Sequence, residues 1–64
     1  MSESNEAVVR AKFPQAYVFS HRTREGGRHF TVRNPETGQN LGPTAFTLEN
    51  AWRYAAARLM EAAQ

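Results

Sequence analysis

From Leu48 onward apolar residues recur at spacings of three and four: Leu48, Ala51, Trp52, Ala55, Ala56, Leu59 and Ala63. That period lays them along one stripe of a helix. Thr47 is a natural N-cap, and Glu49 falls in the first turn, where the helix dipole favours an acid. The five alanines between Ala51 and Ala62 favour helix and let it lie close against a sheet. A second, shorter helix is predicted over residues 4–12, with Ser4 as cap, Glu6 in the first turn and Pro14 disfavouring helix at Phe13. Its apolar positions Ala7, Val8, Ala11 and Phe13 form a thin stripe, and a frayed segment that orders on docking is the alternative.

Between the two helical patterns the period shortens to two. Residues 16–22 and 28–33 are rich in aromatic and β-branched types, and Glu25-Gly26-Gly27 between them supplies residues that tolerate positive φ, so a β-hairpin is expected. In its second strand Phe30 and Val32 share one face, and His29, Thr31 and Arg33 the other. The first strand depends on the turn. A two-residue turn at Glu25-Gly26 sets Arg22 opposite His29 and Ser20 opposite Thr31, and sends Tyr17 and Phe19 into the core beside Phe30 and Val32. A three-residue loop reverses the parity, so that Val18 turns inward while Tyr17, Phe19 and His21 face water. The two-residue turn is the expected one, because burying two aromatic side chains, each worth roughly 1.5–3 kcal/mol, outweighs burying one valine.

Asn34-Pro35-Glu36-Thr37-Gly38 reads as a second turn, followed by a short third strand at residues 39–41. Gly42 and Pro43 interrupt that strand or make it an edge, and Thr44 to Phe46 lead into the last helix. The expected fold is therefore α+β in the order α-β-β-β-α: a three-stranded antiparallel sheet packed against a C-terminal helix, with a short N-terminal helix. At 64 residues the chain has room for one small domain, spanning 1–64, with residues 1–3 as a disordered tail.

Composition narrows the chemistry. No cysteine is present, which removes disulfides, thiolate zinc sites and thiol nucleophiles and suits a reducing, cytoplasmic setting. Apolar runs are too short for a membrane span, and the acidic, polar start does not read as a signal peptide. There is no Asp, and the six Glu are scattered; Ser20 near His21 or His29 lacks an acid to orient the imidazole, so no enzyme and no cofactor are expected. His21 and His29 lack an apparent third ligand, so no metal is expected.

The formal charge of +2 is unevenly spread. Residues 10–33 carry Arg10, Lys12, Arg22, Arg24, Arg28 and Arg33 against Glu25 alone, a net +5, and seven of the chain's eight basic residues are Arg. Guanidinium forks suit bidentate contacts with phosphates and base edges. Arg22, Arg24, Arg28, His29, Thr31 and Arg33 are accordingly the candidate nucleic-acid-binding residues on an exposed sheet face, although a solvated strand face without partner has the same composition.

Residues 29–38, HFTVRNPETG, with Leu41-Gly42, Phe46-Thr47, Glu49-Asn50-Ala51 and Tyr54-Ala55-Ala56, resemble the strand–turn–strand–helix stretch of the plant ethylene-response-factor DNA-binding domain and the arm-type domains of phage integrases. The resemblance implies a sheet that enters the DNA major groove, with Arg22, Arg24, Arg28 and Arg33 touching DNA. The α-β-β-β-α order ending in the Ala-rich run 51–59 also looks like a double-stranded-RNA-binding domain. That domain uses a lysine cluster at the start of its last helix, where this chain has Thr47-Leu48-Glu49-Asn50, so duplex DNA is favoured over RNA. A short, Arg-rich, cysteine-free chain is also similar to the small accessory proteins of phages and prophages, many of which bind a host protein. The alternative expectation is thus a protein-interaction module, monomeric or homodimeric, that uses the same face or the helix side with Arg53, Tyr54 and Arg58.

Overall fold

The computed structural model describes residues 4–62. The expected tail at residues 1–3 and the last position of the helical stripe, Ala63, lie outside the described residues. The fold is α+β, in the order α1 (Asn5–Lys12), β1 (Tyr17–Arg22), β2 (Arg28–Arg33) and α2 (Leu48–Ala62).

Both helices start where their caps direct. The Ser4 hydroxyl accepts from the Ala7 N–H at 3.1 Å, and the Thr47 hydroxyl accepts from the Asn50 N–H at 3.1 Å, each satisfying one amide that the first helical turn leaves without an internal partner. In α1 the buried residue is Val9, with Val8 and Phe13 half-buried, whereas Ala7 and Ala11 of the expected stripe are exposed. Turning the larger side chains inward removes more apolar surface from water than burying the alanines would. The helices pack against each other, and α2 also packs against β2. Small residues dominate the centre: Ala51, Ala55 and Ala56 of α2 meet Val9, Ala16, Val32, Ala45 and the buried face of Trp52, with Val18, Phe30, Leu41 and Leu59 at the margins. Arg10 is tied to Glu6 one turn away at 3.8 Å and places its guanidinium 5.4 Å from the Trp52 ring centroid.

The hairpin forms over the expected strands but in the other register. Val18 stands opposite Val32, Phe19 opposite Thr31, Ser20 opposite Phe30, His21 opposite His29 and Arg22 opposite Arg28. Backbone conformation decides this against side-chain burial. A two-residue turn at Glu25-Gly26 needs positive φ at Glu25, and among the described residues no non-glycine has it. The three-residue loop Arg24-Glu25-Gly26 needs it only at the last position, which Gly26 fills with φ 90°. Thr23 closes the loop: its N–H donates to the Gly27 carbonyl at 2.9 Å, its carbonyl accepts from the Gly26 N–H at 3.2 Å, and its hydroxyl accepts from the Gly27 N–H at 3.1 Å.

The sheet has two strands, not three. The segment expected as the third strand follows β2 through two isolated bridges, Arg33 with Asn40 and Phe30 with Ala45. Proline explains the interruption. If the pairing that begins at Arg33 and Asn40 continued residue by residue, Pro43 would face Phe30 and have no N–H to give its carbonyl. The chain instead bulges by two residues, and Ala45 exchanges both hydrogen bonds with Phe30 at 2.8 Å. Before the bulge, the buried Asn34 holds the turn by accepting from the Glu36 N–H on its side chain and from the Gly38 N–H on its carbonyl.

Candidate functional site

The register places a row of rings on the sheet face turned away from α2. Tyr17, Phe19 and His21 alternate outward along β1, and His29, Thr31 and Arg33 stand opposite them on β2. The bulge adds a further ring: with Ala45 held inward by Phe30, Phe46 projects on the outer side and is 79% exposed. The rings are contiguous. Phe19 and His21 have centroids 5.8 Å apart; His21 meets His29 edge to face at 5.4 Å; His29 meets Phe46 edge to face at 5.1 Å. The path runs along β1, crosses to β2 and ends on the following segment.

Cations frame this row at both ends. Arg33 lies with its guanidinium carbon 4.5 Å from the Phe19 centroid, a cation–π geometry, while its Nε donates to Asn40 Oδ1 at 3.2 Å. At the other end, Thr23, Arg24, Glu25, Arg28, His29 and Phe46 line a groove of about 520 Å³. Among the described residues the only ion pair is that of Arg10 with Glu6; no described carboxylate lies within ion-pair distance of the hairpin guanidinium groups, although Glu25 lines the same groove.

The six residues singled out from the sequence are split by this geometry. His29 and Arg33 belong to the ring face. Thr31 lies on it too, but it is 4% exposed and shares a hydrogen bond with the Thr44 hydroxyl at 3.0 Å, so its side chain is structural. Arg22 stands opposite Arg28 rather than His29, on the pleat that carries Val18 and Val32, and Arg24 occupies the loop. The single polar face expected from the two-residue turn therefore does not form. Phe46 and Thr23 escaped the sequence reading; the missing N–H of Pro43 was the available signal for the bulge that exposes Phe46. Among the described residues no three His, Cys, Asp or Glu side chains converge as a metal site would require. Nor is any described helix long and apolar enough to cross a membrane.

Comparisons of the chain with models of known protein families, with curated proteins and with solved structures find no match.

Proposed function

We propose that the protein is a non-enzymatic nucleic-acid-binding domain that meets its partner with the hairpin. The observation that carries this reading is the placement of Arg24 and Arg28, with no ion pair to a described carboxylate, in a groove that opens onto the His29 and Phe46 rings, with Arg33 fixed at the far end of the same row. Such an array offers phosphate contacts from the forks and π-faces to bases. The test is a titration with labelled oligonucleotides at about 50 and 200 mM salt. Three phosphate contacts predict a loss of affinity of about 20- to 40-fold between the two, and Arg24→Ala with Arg28→Ala lowers the slope of log K against log salt by about 1.4 to 1.8. An unchanged slope removes the hairpin as the binding surface.

A second reading, a protein-interaction module that takes a host protein, draws on α2. Tyr54, Ala57 and Arg58 form a shallow groove of about 300 Å³ with Pro43, and Tyr and Arg are the residue types that dominate interface energetics. A salt-insensitive protein complex lost in Tyr54→Ala with Arg58→Ala, and kept in the hairpin variants, favours it.

A further inference from the structure

We infer that the nucleic acid taken by this face is single-stranded, with unpaired bases stacking on the row Phe19, His21, His29 and Phe46. The inference rests on the nucleic-acid reading and adds the form of the strand. In a duplex each base covers the faces of its neighbours, about 3.4 Å apart along each strand, so a protein sees base edges and phosphates only. Against such a partner exposed rings are left with thymine-methyl contacts, or with wedging that must first unstack a base step. Unpaired bases present their faces, and every base has one.

The rings touch one another tilted or edge to face, at centroid distances of 5.1 to 5.8 Å, so a base is taken up on ring surface that stays open to solvent, Phe46 above all, and not by insertion between the rings. Phe46 is 79% exposed and Phe19 and Tyr17 about two-fifths exposed, in a domain whose buried core consists largely of alanines and valines. The fold thus leaves Tyr17, Phe19 and Phe46 substantially in water while Trp52 is buried and Phe13 and Phe30 are half-buried, and an occupant that covers the exposed rings recovers apolar burial that folding does not supply. Charge selects the occupant. Arg33 at one end and Arg24 and Arg28 at the other give a backbone running along the rings a cation at each end, whereas an apolar peptide would leave these guanidinium groups uncompensated. Asn40 holds the Arg33 guanidinium in place through Nε, so the terminal nitrogens are oriented before a phosphate arrives.

The test is a fluorescence-anisotropy titration of the full chain with oligo(dT), oligo(rU) and a mixed-sequence duplex, each of about eight nucleotides or base pairs. The wild-type chain is compared with Phe46→Leu, which keeps an apolar side chain and removes the ring, and with Phe46→Trp, which restores one. Both substitutions are at an exposed position, and far-UV circular dichroism reports that the fold is retained. The expected result is tighter binding of single strands than of the duplex, a loss of about 5- to 150-fold for single strands in Phe46→Leu, and recovery in Phe46→Trp. Comparable affinity for dT and rU, or a preference for either, both agree with stacking, and their ratio identifies the sugar. Duplex binding as tight as single-strand binding, with Phe46→Leu unchanged, overturns the inference while leaving the nucleic-acid reading in place. No binding of any of the three at about 50 mM salt overturns both.

Discussion

Gly42 lies directly against the backbone of Ala55: a Cβ placed on Gly42 would come within 2.9 Å of the Ala55 nitrogen and 3.0 Å of its Cα. Neither obstacle is the tip of a flexible side chain, so a methyl group there forces the segment after β2 away from α2. Gly42→Ala is expected to cost about 1–3 kcal/mol, as overpacking commonly does. Urea unfolding followed by the emission of the single, buried Trp52 measures it.

The adjacent glycines of the hairpin differ in what they tolerate. Gly26 has φ 90°, so Gly26→Ala is expected to lose about 1–2 kcal/mol to backbone strain alone, although its Cβ would meet nothing. Gly27→Ala places a Cβ at an ordinary 3.5 Å from the Thr23 hydroxyl and is expected to change stability by under about 0.5 kcal/mol. Denaturation midpoints of the two variants, measured side by side, check the contrast.

The Thr31–Thr44 hydrogen bond is asymmetric, because Thr31 is buried and Thr44 is exposed. Thr31→Val frees a hydroxyl that can turn to water and is expected to cost about 0.5–1.5 kcal/mol. Thr44→Val leaves the buried Thr31 hydroxyl without its partner and is expected to cost about 1–3 kcal/mol. Equal losses in urea unfolding would contradict this order.

Removing the caps separates the two helices. Thr47→Ala is expected to destabilise the whole domain by about 0.5–2 kcal/mol, since α2 carries most of the buried alanines and Trp52. Ser4→Ala uncaps the eight-residue α1, whose first turn is exposed, and is expected to lose amide-exchange protection in α1 with a smaller change in the global midpoint. Hydrogen exchange by NMR resolves the two effects.

Elements governed by local signals were legible in the sequence. The caps at Ser4 and Thr47, the alanine-rich stripe of α2 and the existence of the hairpin follow from residue type and spacing. The features that were not legible depend on competition between backbone and side chain. Burial of Tyr17 and Phe19 argued for one register, and the φ that Glu25 would have needed ruled for the other. Residues 39–41 have the turn before them that a third strand needs, yet Pro43 two residues later lacks the N–H that would extend the ladder, and only isolated bridges form. The candidate site inherited both outcomes. Its arginines were visible as a charge cluster, but the ring row emerges only once the register and the bulge place Phe19, His21, His29 and Phe46 side by side.

The loop Arg24-Glu25-Gly26 also governs how this surface can change over generations. Because β2 is anchored by Ala45 on one edge and by α2 beneath, loss of Arg24 or Glu25 would leave β2 in place; keeping a three-residue loop with Gly26 at its positive-φ last position would then draw Thr23 into the loop, slide β1 by one residue and turn it to its other face. Tyr17, Phe19 and His21 would then face the core and Val18 and Ser20 the solvent. A single codon deletion could thus exchange an aromatic exterior for a small-residue one without altering any strand residue, so the number of residues between β1 and Gly26 acts as inherited information about surface chemistry.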